Sequence, residues 1–158
     1  MIVFSNTTPF IALSSINKLE LLPKLFGQIH VVTEVIEECA VGGVIPVPDL
    51  RAIPWVIEVY PSQAITISIL LELDKGEKYT LQMAKEMNAN RVIIDEKIGR
   101  DVAEYLGLEV TGTLGILLKA KQNGWIESFT ENAKAMSDLG IHYNKALIKK
   151  LAKAIEEE

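Results

Sequence analysis

The acidic residue best placed to do chemistry is Asp95, which directly follows the apolar run Val92-Ile93-Ile94. Such a run is typical of a buried strand, so the carboxylate of Asp95 should project from a strand end, where ligands bind in parallel sheets. Asp is also a preferred residue at the start of a helix. The pattern therefore supports a ligand and a helix cap equally.

Two other carboxylates have a similar double reading. Glu77 follows Asp74 at the Asp-x-x-Glu spacing of a capping box, and Glu38 lies in an acidic stretch that fits the solvated side of an amphipathic helix. Hard divalent cations such as Mg²⁺ prefer carboxylate oxygens. The sequence thus contains acids suited to a metal site, although each has a local structural explanation.

The elements that must position these acids are short strands alternating with helices, the signature of a doubly wound parallel sheet. Strands are predicted at 2–4, 29–32, 91–94 and 108–110, and 56–60 reads as an edge strand or an extended arm. Helices are predicted from Pro9 toward Gly27, at 34–40 with Thr33 as its cap, at 65–73, 76–87, 98–106 and 116–120, and twice after Ser128 with a break near Gly140.

Composition sets the class of protein. The chain of 158 residues with 49% hydrophobic content suits one domain with a substantial core. The lone Cys39 excludes an intramolecular disulfide framework, and the sequence shows neither a basic leader nor a membrane-length apolar segment, so we expect a cytoplasmic protein. The net charge of −5 argues against a broad basic surface for nucleic acid, but an acidic site can engage phosphate through a bound cation.

The order and spacing of these motifs resemble the PIN domains. The opening stretch IVFSNTTP resembles the first strand of that family and its Asp-Thr-Ser type ending, which puts Asn6 at the position of the first metal acid. Glu38 matches the acid of the helix after the second strand. Glu77 and Asp95 are similar to the third and fourth acids. Residues 73–77, 93–100 and 107–115 also look like a prokaryotic PIN-like subfamily of predicted nucleases.

The resemblance covers about residues 1–125 and implies a three-layer α/β/α fold with a short parallel sheet. Residues 126–158 are predicted to form a helical extension packed on the same domain. The implied activity is an endoribonuclease, a hydrolase with Mg²⁺ or Mn²⁺ held by Asn6, Glu38, Glu77 and Asp95. Many such domains are toxins, so the implied partners are RNA, an antitoxin protein and a second copy of the chain.

Three further residues are predicted to support this site. By the same resemblance, Thr7 and Thr113 are expected next to the metal ligands. Arg100 follows Asp95 on a predicted helix, where it is placed either to reach a phosphate or to form an ion pair with Glu96 or Glu104 at helical spacing.

A non-catalytic reading stays open because Asn6 offers only a neutral oxygen where the family commonly has a carboxylate. In that case the chain is a PIN-like module that binds RNA or a protein and has a degenerate metal site. Receiver domains and Asp-x-Asp phosphatases are discounted, because Ser5-Asn6-Thr7 supplies no carboxylate after the first strand.

Overall fold

The sheet has five strands, all parallel, in the order β3-β2-β1-β4-β5. The computed structural model describes residues 1–61 and 64–157. Helices flank this sheet, so the predicted three-layer α/β/α fold with additional helices is confirmed. The strands are Val3–Ser5 (β1), Ile29–Val32 (β2), Val56–Val59 (β3), Arg91–Ile93 (β4) and Val110–Thr111 (β5).

The helices of the described residues follow the strands in alternation up to β5 and then continue alone. They are Thr7–Ser15 (α1), Leu21–Phe26 (α2), Thr33–Val41 (α3), Lys75–Glu86 (α4), Lys97–Tyr105 (α5), Thr113–Gln122 (α6), Phe129–Asp138 (α7) and Lys145–Ala154 (α8). Short 3₁₀ turns occur at Leu50–Ala52 and Ser68–Glu72. None of these helices has the length and apolar character needed to cross a membrane.

The central strand β1 marks the point where the strand order reverses, since β2 lies on one side of it and β4 on the other. Ser5 of β1 is in register with Ile93 of β4, and the backbone N–H of Asn6 donates to the carbonyl oxygen of Ile93 at 3.0 Å. The carboxyl ends of the two strands therefore lie side by side. This is the position at which ligands bind in doubly wound sheets.

The apolar character of the central strands follows from burial on both faces. Phe4, Val92 and Ile93 are fully buried, as expected for a parallel sheet covered by helices on both sides. The strand β3 lies at one edge of the sheet, which decides between the edge strand and the extended arm that the sequence left open. Polar residues that follow these strands are thus anchored to a rigid core.

Two local predictions are wrong. The helix expected at 65–73 is only the 3₁₀ turn Ser68–Glu72, because the backbone of Ile67 is extended, with φ −92° and ψ 108°. The buried side chain of Gln82 supports this conformation by accepting the N–H groups of Thr66 and Ile67, at 3.1 and 3.3 Å. Thr33 is not a helix cap. It is the first residue of α3, and its hydroxyl donates to Glu58 at 3.0 Å.

The C-terminal helices fold back onto the domain. Ser128 caps α7, whose neighbours are α6 and α8, and the carboxylate of Glu157 accepts the N–H groups of Phe129 and Thr130 at 2.8 and 2.9 Å. These bonds tie the end of the chain to the start of α7. The boundary at residue 125 stays a prediction, and residue 158 of the predicted extension lies outside the described part of the chain.

Candidate functional site

Three carboxylates meet beside the carboxyl end of β4. Asp74, Glu77 and Glu96 each place an oxygen within 4.8 Å of the others. Asp74 caps α4 by accepting the N–H of Glu77 at 2.9 Å, and Glu96 occupies the residue before α5. The capping box read from the sequence is therefore real for Asp74, but the same residue also belongs to an acidic cluster. Asp74 thus both caps α4 and supplies a carboxylate to the cluster.

Two glycines allow these acids to approach the backbone closely. A Cβ atom on Gly76 would lie 2.5 Å from Oε1 of Glu38, and one on Gly99 would lie 2.5 Å from Oε2 of Glu77. Both contacts are closer than real Cβ atoms allow. The carboxylate of Glu38 thus lies against the start of α4 and that of Glu77 lies against α5.

Residues at the start of α1 hold the acids from the other side. The hydroxyl of Thr7 donates to Glu38 at 2.6 Å, and the hydroxyl of Thr8 donates to Glu96 at 3.1 Å. Asn6, immediately before them, is 3% exposed, and its Oδ1 has no hydrogen-bond partner among the described residues. A buried amide oxygen without a donor costs free energy, and a cation would satisfy it.

The electrostatics of Glu77 agree with a site built for a cation. Glu77 is 6% exposed, and burial raises its pKa to about 8, helped by a hydrogen bond that protonated Glu77 donates to Asp74 and by the charges of Asp74, Glu96 and Glu38. Like charges packed together disfavour ionisation of one member. A divalent cation reverses that preference, because it supplies the positive charge that the cluster lacks.

Asp95 stands apart from this cluster. One oxygen accepts the backbone N–H of Thr113 at 2.7 Å, and the other accepts the hydroxyls of Thr113 and Tyr143, each at 2.7 Å. The cap interpretation is wrong, since Glu96 and not Asp95 precedes α5 as its N-cap residue. Asp95 instead satisfies the first N–H of α6.

Arg100 also turns toward the backbone. Its guanidinium donates to the carbonyl oxygen of Ile94 at 3.2 Å and lies so close to Gly112 that a Cβ there would be 2.5 Å from Nη1. Neither of the ion pairs predicted from the sequence, with Glu96 or Glu104, forms within the described residues. Arg100 thus stabilises the backbone at Ile94, directly before Asp95 and Glu96.

The structure brings together Glu38 and Glu77 of the predicted ligands and adds Asp74 and Glu96. Thr7 binds Glu38, and the buried Asn6 directly precedes Thr7 in the chain. From the sequence, Asp74 is expected only as part of a capping box, and Glu96 only as one possible ion-pair partner of Arg100. A signal for Glu96 was present, since Asp95 and Glu96 are consecutive acids at one strand end. No pattern in the sequence pointed to Tyr143.

Comparison with known proteins agrees with this architecture. The chain is similar to a solved structure of a PilT N-terminus domain protein from the hyperthermophilic archaeon Sulfolobus solfataricus P2, with 18% identity, a TM-score of 0.58, and coverage of 76% of this chain and 93% of that one. At this identity the likeness shows the fold alone. No curated protein matches the sequence. The sequence profile of the family DUF3368, described as a PIN domain, matches residues 2–157, so this chain belongs to the PIN-domain family.

Proposed function

We propose that the protein is an endoribonuclease that hydrolyses phosphodiester bonds with the help of Mg²⁺ or Mn²⁺. The observation that carries this proposal is the meeting of Asp74, Glu77 and Glu96 within 4.8 Å, beside Glu38, where the strand order of the sheet reverses. Membership of the PIN-domain family supports the nuclease class, and the choice of RNA rests on the family resemblance.

The residues present fit a hard divalent cation. Glu77, Glu96, Asp74 and Glu38 supply carboxylate oxygens, and the unpartnered Oδ1 of Asn6 supplies a neutral one. When bound, such a cation acidifies a water molecule and stabilises the charge that builds on the phosphate. Asp95 as the fourth ligand remains a prediction, because both of its oxygens already accept hydrogen bonds from Thr113 and Tyr143.

The protein's own groups prepare this chemistry. The hydroxyls of Thr7 and Thr8 hold Glu38 and Glu96, so these carboxylates need little reorganisation when substrate arrives. Burial and neighbouring charges raise the pKa of Glu77 to about 8 in the metal-free protein, so a cation that binds near neutral pH should release a proton from Glu77. An exposed carboxylate has no proton to release at the same pH.

The decisive experiment is cleavage of a mixed RNA pool with Mg²⁺, with Mn²⁺ and with chelator, using the wild type and Glu77→Gln. The proposal expects cleavage that needs the metal and disappears in the variant. A wild type that binds Mn²⁺ yet leaves all RNA intact would favour the alternative, a PIN-like module that binds RNA or protein. The neutral Asn6 at the first acid position is the observation behind that alternative.

The biological setting follows from the family resemblance. We propose a cytoplasmic toxin that pairs with an antitoxin protein and forms a homodimer. Light scattering should then give about twice the chain mass of 17.5 kDa. A mass of one chain at every concentration would contradict the homodimer, and a gene without a neighbouring antitoxin-like reading frame would argue against the toxin role.

A further inference from the structure

Asp95 joins three parts of the chain that are far apart in sequence. It directly follows β4 and the buried Ile94, it accepts both the N–H and the hydroxyl of Thr113 at the start of α6, and it accepts the hydroxyl of Tyr143 from the segment between α7 and α8. All three bonds are 2.7 Å long. A carboxylate that accepts three short hydrogen bonds has much of its charge already neutralised by donors.

The residue before Asp95 is equally well held. Ile94 donates its N–H to the carbonyl oxygen of Thr111 at 3.0 Å and accepts the guanidinium of Arg100 at its own carbonyl oxygen at 3.2 Å. The residue after it, Glu96, is exposed, and the hydroxyl of Thr8 is the one donor to its carboxylate within the described residues. The hydrogen bonds at Ile94 and Asp95 thus fix the backbone at Glu96. The carboxylate of Glu96 keeps oxygen lone pairs that can bind a cation.

The segment that carries Tyr143 is itself anchored on both sides. The ring of His142 shares a hydrogen bond with the hydroxyl of Ser137 at 3.0 Å, and Asn144 caps α8 by accepting the N–H of Leu147 at 3.0 Å. Burial, and then the charge of Asp95, raise the pKa of Tyr143 well above its ordinary value. The phenol therefore stays protonated and remains a hydrogen-bond donor to Asp95.

From this geometry we infer that Asp95 and Tyr143 are positioning residues, which fix the backbone at Glu96 so that its carboxylate joins the cluster with Asp74 and Glu77. The C-terminal helical segment then contributes to the metal site through Tyr143. The inference rests on the proposed function in one respect, namely that the acidic cluster binds a divalent cation. It assigns Asp95 an indirect role in place of the ligand role predicted from the sequence.

The test is calorimetric titration of Mn²⁺ into the full chain, which does not depend on RNA. Tyr143→Phe keeps the ring and removes the donor. Because Tyr143 acts on Glu96 only through Asp95, we expect Mn²⁺ affinity to weaken about 10-fold, the lower end of the loss caused by removing a direct partner of a metal ligand. Ser128→Ala is the matched control, because it removes a helix cap of the same C-terminal segment without touching Asp95. Its Mn²⁺ affinity should equal that of the wild type.

Asp95→Asn separates positioning from ligation. If Asp95 is a positioning residue, Asp95→Asn should lose about as much Mn²⁺ affinity as Tyr143→Phe. The double variant should bind Mn²⁺ little worse than either single variant, since both changes affect the same hydrogen bond. If Asp95→Asn abolishes Mn²⁺ binding as Glu77→Gln should, while Tyr143→Phe binds like the wild type, Asp95 is a ligand and the inference is overturned.

Two further outcomes are informative. If Tyr143→Phe does not fold, Thr113→Ser and Thr113→Val take its place: Ser retains the hydroxyl and should keep Mn²⁺ affinity, whereas Val loses the bond to Asp95 and should weaken it. Equal affinities for the Ser and Val variants would contradict the inference. If the wild type binds Mn²⁺ but cleaves no RNA, the proposed activity alone is contradicted. If it binds no Mn²⁺, the positioning role of Asp95 and Tyr143 is contradicted as well.

Discussion

Replacing Glu77 by Gln should make the metal-free protein more stable, although it removes a buried carboxyl group from the site. Glu77 lies among Asp74, Glu96 and Glu38, and its pKa is raised from 4.5 to about 8, first by burial and then by these neighbours. Between those two pH values the folded protein keeps a proton that the unfolded chain has released. Folding therefore becomes less favourable as the pH rises through this window.

The magnitude follows from the size of the window. Each unit between the folded and unfolded pKa costs about 1.4 kcal/mol of unfolding free energy, so at pH 7 Glu77 destabilises the metal-free protein by roughly 3 kcal/mol. Gln is neutral at every pH and has a similar shape. Glu77→Gln should thus match the wild type near pH 4.5 and exceed its stability by roughly 3 kcal/mol at pH 7, provided that the amide keeps the hydrogen bonds of the acid.

Urea unfolding from pH 4.5 to pH 8 in chelator measures this difference directly. Glu104→Gln is the matched control, because it removes the same charge from an exposed position on α5 and should show no such rise with pH. Saturating Mn²⁺ should stabilise the wild type and leave Glu77→Gln unchanged. A stability difference that stays constant with pH, or a variant less stable than the wild type throughout, would show that Glu77 does not keep its proton in the folded protein at neutral pH.

Three other changes probe separate parts of the structure. Gly76→Ala should displace the carboxylate of Glu38, because the new Cβ would lie 2.5 Å from Oε1, and we expect weaker Mn²⁺ binding in calorimetry with a nearly wild-type melting temperature. Asn6→Asp should tighten Mn²⁺ binding, since it adds a charged oxygen at a buried position beside the cluster, and unchanged affinity would show that Asn6 is not a weakened form of the first family acid. Glu157→Gln should destabilise the protein by about 2–3 kcal/mol at pH 7, because hydrogen bonds that include the N–H groups of Thr130 and Phe129 outweigh burial and lower the pKa of Glu157 from 4.5 to about 2. That contribution is present above pH 4.5 and is lost as the pH falls through 2, so acid unfolding of the two proteins should converge there.

The sheet could be predicted because its signals are local. The apolar runs Val31-Val32 and Val92-Ile93-Ile94 end at the polar residues Thr33 and Asp95, and continuous apolar runs of this kind are typical of strands buried on both faces. The 65–73 segment failed for the opposite reason. Its apolar spacing suits a helix, but the backbone of Ile67 is extended and interrupts one, and the side chain of Gln82, distant in sequence, supports that conformation by binding the N–H groups of Thr66 and Ile67.

The site could be predicted to the level of the strand end but not of the individual carboxylate. Asp95 and Glu96 both follow β4, and sequence alone does not say which one turns toward Glu77. Which of the two carboxylates joins the cluster depends on Thr113 and Tyr143. These residues, 18 and 48 positions away in sequence, donate hydrogen bonds to the oxygens of Asp95. Contacts between residues so far apart produce no periodic pattern in the sequence, so they are seen only in the folded structure.

The central claim is that the carboxylates around Glu77 bind a divalent cation and that RNA cleavage depends on it. Its most direct test is single-turnover cleavage of a labelled RNA across a Mn²⁺ titration, compared with the calorimetric Mn²⁺ affinity of the same preparation. We expect the two midpoints to coincide and Glu77→Gln to lose both signals. Cleavage that proceeds without Mn²⁺, or that persists in Glu77→Gln after its metal binding is lost, would contradict it.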